Sequence, residues 1–274
     1  MSRRFLMWRA LFIFIFAMTS VFAAPQRVVS MSLCTDQLLL SLLPIERIAA
    51  VSYLSRDKTY SRFSEQAQSV AIHHADVEHI LSLAPDLILA SRYERSQATS
   101  MLQRLGANLL IVDAPQTVDD IAVYTMTIAQ ALQTQSQAQA MLDAMKVDWQ
   151  RAETLIRDKP ALLAMSMSAN GYQQGRQTLF NELLHRAGLR SAADELGLQY
   201  DGNITIENAL RLQADITLYH SDESGQSLAE QWVTHPAWSA QQKHQQKITL
   251  PTADWICAGP WTSSAVLNLI AQRK

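Results

Sequence analysis

The sequence predicts an α/β protein built of two lobes joined by helices. Three observations carry this reading. Short apolar runs alternate with segments of 3.6-residue apolar period, the pattern of parallel βα units. That alternation restarts after a long helical stretch in mid-chain. No Gly/Ser-rich or Pro-rich linker separates the halves. The chain has 274 residues, 48% of them hydrophobic, enough for a sizeable core and incompatible with a disordered chain.

In the first half, residues 27–31, 48–52, 87–91 and 109–113 read as strands. Residues 35–43 read as a helix capped by Thr35, and 77–83 as a short helix. Residues 96–105 read as a helix ended by Gly106. Residues 118–132 form one linking helix. Residues 136–157 form another, with apolar side chains at 138, 141, 142, 145, 149, 152, 155 and 156, and Pro160 stops it. About 22 residues at ~1.5 Å each reach roughly 33 Å, the width of a small domain. Strands at 161–167, 216–219 and 247–250 follow, with helices at 178–187, ended by Gly188, and at 261–271. The expected division is an N-terminal lobe over 24–115, linking helices over 116–160 and a C-terminal lobe over 161–274.

The N-terminus carries Arg3, Arg4 and Arg9, an apolar run over 10–18, and small residues up to Ala23 and Ala24. This pattern predicts a cleaved export signal over residues 1–23. The alternative, a membrane anchor, needs about 20 apolar residues, and this run is shorter. No Cys stands at the cleavage point to suggest a lipid anchor. The whole chain has 23 basic and 25 acidic residues, net −2. Without the three leader arginines, 20 basic residues face 25 acidic ones, net −5. No clustered basic surface is legible, so no nucleic-acid partner is expected.

No G-x-S-x-G, G-x-G-x-x-G, Walker loop, H-E-x-x-H or C-x-x-C is present, which favours a binder over an enzyme. Cys34 and Cys257 lie near opposite ends of the mature chain. In an oxidising compartment they would commonly pair, worth roughly 4–5 kcal/mol in the loop-entropy model; the alternative is two separate buried thiols. His73, His74, Asp76, Glu78 and His79 form the densest cluster of ligand-type side chains, but their spacing matches no metal motif. Aromatic residues gather in the loops expected after strands: Tyr53, Tyr60, Tyr93, Tyr172, Tyr200, Trp255 and Trp261, accompanied by Arg56, Arg92 and Arg95. Loops outside the strand carboxyl ends form the ligand crevice of α/β lobes. Aromatic faces and guanidinium forks there suit an apolar ligand with carboxylate groups, and ordinary packing is the competing reading for each one.

One segment is echoed. Residues 77–89 and 206–218 both read apolar-Glu-x-x-Leu-x-Leu, then an Asp before a strand, with Glu78 and Glu207 near the helix starts. A first-turn Glu favours the helix dipole, which explains either one locally. A pair of equivalent acids, one per lobe, would instead suit a two-fold symmetric partner.

These residues resemble a known family. The opening Arg27-Val-Val-Ser-Met-Ser, the Glu78-His-Ile-Leu-Ser-Leu-Ala-Pro-Asp-Leu-Ile unit, the long linking helix and the downstream Glu207 unit look like the substrate-binding proteins of ABC importers for cobalamin, ferric siderophores and haem. The likeness spans about residues 26–272. It implies two Rossmann-like lobes bridged by one long rigid helix, with the ligand in the cleft between them. It implies a periplasmic, monomeric protein with no cofactor of its own, delivering a small metal chelate to the permease dimer in the inner membrane. Glu78 and Glu207 would dock onto the two permease subunits. Leu33-Cys-Thr-Asp-Gln-Leu and Trp255-Ile-Cys-Ala-Gly-Pro-Trp look like a subgroup carrying both cysteines. The ligand-facing candidates are Tyr53, Arg56, His73, His74, Arg92, Tyr93, Tyr172, Tyr200, Asp254, Trp255 and Trp261. His73-His74 in place of an aromatic, Ser91 in place of another, and Cys257-Ala258 in place of an arginine depart from the pattern of the cobalamin binders and leave room for haem, within a class of corrinoid, ferric siderophore or haem. A haem would bring His73 or His74 forward as an iron ligand. The rival expectation is an exported enzyme, or a chaperone for another protein's metal centre.

Overall fold

The computed structural model describes residues 23–92, 97–220 and 235–274. The expected export signal, Tyr93 and Arg95 therefore fall outside the described residues, apart from Ala23. Two parallel sheets make up the frame. The first contains β1 (Val28–Ser30), β2 (Ile48–Ser52), β3 (Ile72–His73), β4 (Leu87–Ser91) and β5 (Leu109–Val112), in the order β3-β2-β1-β4-β5. Every neighbouring pair in it is parallel. The second contains β6 (Leu162–Met167), β8 (Leu189–Ser191), β10 (Ile216–His220) and β11 (Gln246–Leu250), in the order β11-β10-β6-β8, again all parallel. A short antiparallel ribbon pairs β7 (Tyr172–Gln173) with β9 (Gly202–Asn203).

Both faces of each sheet are covered, so the strands read as unbroken apolar runs rather than alternations. In β4, Leu87 and Leu89 pack with Val28, Leu38 and Ile128 on one face, while Ile88 and Ala90 pack with Val29, Ile80 and Leu102 on the other. The second sheet repeats this: Ala164, Leu218 and Ile248 pack with Leu184 and Leu269, and Leu163 and Met165 with Ala209 and Trp238.

Helix α1 (Leu33–Leu42) begins two residues before the expected start, because Ser32 rather than Thr35 caps it: its hydroxyl accepts from the Thr35 N–H at 3.4 Å. The Thr35 hydroxyl turns back to the Ser32 carbonyl at 3.0 Å. Helices α2 (Ser64–Ala67), α3 (Val77–Ser82) and α4 (Gln97–Arg104) complete the first lobe. Strands β3 and β8 escape a periodicity reading; two or three residues carry too little pattern to be told from loop.

Helices α5 (Val118–Leu132) and α6 (Gln135–Ile156) lead from the first sheet to the second. A capping box starts α5: Thr117 caps the Asp120 N–H and the Asp120 carboxylate takes the Thr117 N–H. The buried face of α6, Ala138, Leu142, Met145 and Ala152, follows the helical period and packs on α5 and α12 (Thr262–Gln272). The second lobe adds α7 (Leu179–Arg186), α8 (Ala192–Leu196), α9 (Ile206–Leu212), α10 (Pro236–Gln241) and α11 (Thr252–Trp255). No helix among the described residues is long and apolar enough to cross a membrane.

Arg273 closes the second lobe. Its guanidinium donates to the carbonyls of Ala187 at 2.6 Å, Gly188 at 3.0 Å and Pro160 at 2.7 Å. The approach needs a glycine at 188, where φ is +70° and a Cβ would stand 2.5 Å from the guanidinium.

The first lobe rests on a buried acid. Asp36, fully buried in α1, accepts from the Ser52 N–H at 3.0 Å, the Ser55 hydroxyl at 2.7 Å and the Ser52 hydroxyl. It thereby ties α1 to the end of β2 and the 3-10 turn after it. Burial pushes its carboxyl up to about 7, against the hydroxyl and N–H donors that favour the ion. The unfolded chain gives up this proton near 3.8. Between the two values the folded state binds more proton, so this group's contribution to stability falls as pH rises, by roughly 4 kcal/mol in the limit. Asp36→Asn should flatten that fall. Urea midpoints of wild type and variant at pH 5 and pH 8 check it, and parallel slopes in the two proteins would contradict it.

Candidate functional site

A cavity of about 480 Å³ lies where the carboxyl ends of both sheets meet. The first lobe contributes Cys34, Ala114 and Pro115, and α5 contributes Tyr124. The second lobe supplies the remaining wall, including Ser168, Tyr172, Gln174, Phe180, His220, Asp254 and Trp255.

Phe180, Trp255, His220 and Tyr172 form the aromatic wall on the second-lobe side. Phe180 enters from the first turn of α7 and Trp255 from the end of α11, edge to face, with ring centres 5.7 Å apart at 67°. His220, the last residue of β10, tilts against Phe180 at 6.0 Å. Tyr172 is fixed by the β7–β9 ribbon: its hydroxyl donates to Asp201 at 2.7 Å, and Asp201 also accepts the Gly175 N–H at 3.1 Å. Burial, then the Asp201 carboxylate, pushes the Tyr172 phenol up to about 12, so it stays a neutral donor.

The segment that carries Trp255 is sewn to the first lobe. Cys257 is joined to Cys34 by a disulfide, with Cα atoms 5.1 Å apart. Asp254 pairs with Arg62 of the first lobe. Trp261 lies 7% exposed in the first-lobe core, edge to face with Phe63 at 5.4 Å, and its Nε1–H donates to the Cys257 carbonyl at 3.1 Å. Gly259 allows that fold-back: a Cβ there would stand 2.5 Å from the Trp261 ring.

Of the expected ligand-facing residues, Tyr172, Asp254 and Trp255 line the cavity. Trp261 is spent on the first-lobe core. Arg56 donates to the carbonyls of Ala67 at 3.2 Å and Val70 at 2.7 Å, anchoring α2 and the turn after it. His73 is buried with both ring nitrogens engaged: Nδ1 accepts from the Ala75 N–H at 3.1 Å, which makes Nε2 the donor to the Ser30 carbonyl at 2.7 Å. No lone pair remains for an exogenous iron, and burial depresses its pKa. Tyr53, half exposed after β2, stacks on exposed His74 at 4.7 Å, and neither is among the residues lining this cavity. Arg92 is exposed and paired with Asp113, which raises its pKa. Tyr200 is 73% exposed and is not among the residues lining this cavity. Glu78 and Glu207 are exposed in the first turns of α3 and α9, one on each lobe. The Glu207 carboxyl is held down by its own N–H and the Thr205 hydroxyl. Among the described residues no group of three or more His, Cys, Asp or Glu side chains could hold a metal ion.

Sequence reasoning missed Phe180, His220 and Gln174. The rule of looking beyond strand carboxyl ends would have found His220. Phe180 sits inside an amphipathic helix and carries no such mark. Replacing both cysteines by serine should cost roughly 2–5 kcal/mol of stability. A guanidinium chloride titration reads this directly, and an unmoved midpoint would show that the bridge ties nothing the fold needs tied.

Comparison with known proteins agrees with this architecture. A family model described as periplasmic binding protein matches residues 28–248. An uncharacterized ABC transporter substrate-binding lipoprotein of Bacillus subtilis (strain 168), YvrC, is 24% identical over 183 residues, 63% of this chain. The chain spans 57% of that curated relative's length. Three solved structures share the fold. The periplasmic heme-binding protein RhuT from Roseiflexus sp. RS-1 superposes with a TM-score of 0.76 at 19% identity, covering 90% of this chain and 97% of its own. A possible iron-binding (periplasmic solute-binding) protein from Staphylococcus epidermidis gives 0.73 at 18%, covering 91% and 99%. A periplasmic heme-binding protein from Pseudomonas aeruginosa gives 0.72 at 18%, covering 90% and 92%. With the family model covering most of its length, the chain belongs to the periplasmic binding protein family, whose members bind substrates and do not turn them over.

Proposed function

We propose that this protein is the extracytoplasmic substrate-binding component of an ABC importer, and that its ligand is an organic metal chelate such as a haem, a ferric siderophore or a corrinoid. The observation that carries the reading is the cavity between the two sheets, walled by Trp255, Phe180 and Tyr172. Flat aromatic faces suit the apolar body of a chelate, and few polar groups are needed to orient it. The structural neighbours whose names specify heme or iron support this ligand class, and the Bacillus subtilis relative's name supports the importer.

In this reading α6 acts as a stiff strut between the lobes, and uptake proceeds with little lobe movement. Glu78 and Glu207 meet cationic side chains on the two permease subunits, one acid from each lobe. The ligand is captured and handed on without chemical change.

Titration of the purified protein with haemin, cyanocobalamin and a ferric siderophore tests the reading, followed by tryptophan fluorescence. One of them should saturate the protein at one equivalent, and Phe180→Ala should weaken that binding about tenfold or more. Failure of all three to bind would overturn the ligand class. In cells, Glu78→Arg combined with Glu207→Arg should abolish import while the isolated protein keeps its affinity. Import at the wild-type rate would refute the docking assignment.

A further inference from the structure

Among the described residues the proposed cavity has one charged lining residue, Asp254, and its ion-pair partner Arg62 comes from the other lobe, next to the lining rather than within it. Asp254 lines the cavity, and its side chain is 19% exposed. Arg62 reaches it from the first lobe with a side chain 35% exposed. The contact is monodentate: Nη1 meets Oδ1. Among the described residues, Nε and Nη2 of Arg62 meet no acceptor. A guanidinium is built to grip a carboxylate with two parallel N–H donors, and here that capacity is half used.

As a structural device the pair adds little. Partly exposed ion pairs are typically worth about 0–1 kcal/mol. The same segment is already held by the Cys34–Cys257 disulfide and by Trp261 in the first-lobe core. The loop bearing Arg62 is itself fixed, its N–H donating to the buried Gln37 side chain at 3.3 Å, so the guanidinium is presented from a defined anchor. The other polar side chains in this wall, Ser168, Gln174, Thr252 and Thr262, are uncharged, and Tyr124, Tyr172 and His220 complete the set. Asp254 is thus the one Asp, Glu, Lys or Arg side chain among the described residues lining this cavity, and Arg62 is the cation it holds.

We propose that Asp254 is a placeholder: it holds Arg62 in the empty protein, and a carboxylate on the incoming chelate takes its place. This rests on the chelate reading above and narrows it to chelates that carry a free carboxylate at their edge. The exchange substitutes one carboxylate for another at the same guanidinium, so Arg62 is never left unpaired in a partly buried wall. The displaced Asp254 turns to solvent, to which it is already partly open. Arg62 is then the specificity-determining residue, and Asp254 its internal competitor.

The test compares haemin, which bears two free carboxylates, with haemin dimethyl ester, on wild type, Arg62→Gln and Asp254→Asn. Arg62→Gln should weaken haemin about five- to tenfold and leave the ester unchanged. Asp254→Asn should tighten haemin several-fold, again without moving the ester. A merely structural role would shift acid and ester together in either variant, and that result would overturn the proposal. So would equal affinity of acid and ester in wild type. Tight binding of cyanocobalamin, indifferent to both variants, would overturn the carboxylate class and leave the chelate reading standing. Binding of no chelate at all would remove both.

Discussion

The structure depends on how residues 252–262 are held. This short stretch belongs in sequence to the second lobe, yet the Cys34–Cys257 bridge, the Asp254–Arg62 pair and the burial of Trp261 fasten it to the first. The same stretch supplies Thr252, Asp254, Trp255, Ile256, Ala258 and Thr262 to the cavity. Fastening and lining are therefore one feature. A wall stitched covalently to the opposite lobe cannot drift with its own, so the aromatic surface stands at a set distance across the gap whether or not a ligand is present. Preorganisation of this kind spares a ligand the ordering cost of assembling its own site.

The first lobe is shaped to take that load. Cys34 sits in the first turn of α1, and the same turn carries Asp36, which grips Ser52 and Ser55. A buried carboxylate is a poor way to gain stability but an effective way to fix geometry, because its donors must sit at defined positions. The tether thus ends on a helix locked to the sheet by directional bonds as well as by the packing of Leu38 and Leu39. On the other side, α12 and Arg273 bind the chain end into the second lobe, so the sewn segment is anchored before and after.

Much of the frame was legible because its signals are local. Residues 87–91, 118–132 and 48–52 announce themselves by apolar runs, a Thr cap and an unbroken period, and the structure places elements at those bounds. The start of α1 was not, since Ser32 and Thr35 are both cap-type residues; Ser32 takes the role, and the Thr35 hydroxyl instead accepts from the Ser30 hydroxyl at 2.8 Å. The site was half legible. Tyr172, Asp254 and Trp255 follow strands and could be read as crevice residues. Trp261 and Arg56 carry the same chemistry but are consumed by packing and by backbone carbonyls, and no sequence rule separates a ring that lines a cavity from one that plugs a core. Phe180 shows the converse: a residue on the buried face of a helix, packed in the second-lobe core, also borders the cavity.

The most direct measurement is a crystal structure of the protein with a chelate bound. The account predicts electron density for the ligand against Trp255, Phe180 and Tyr172, with the Cys34–Cys257 bridge intact and Trp261 still seated in the first-lobe core. Ligand density on another surface, or a bound state in which Trp261 has withdrawn and the lobes have parted along residues 252–262, would contradict it.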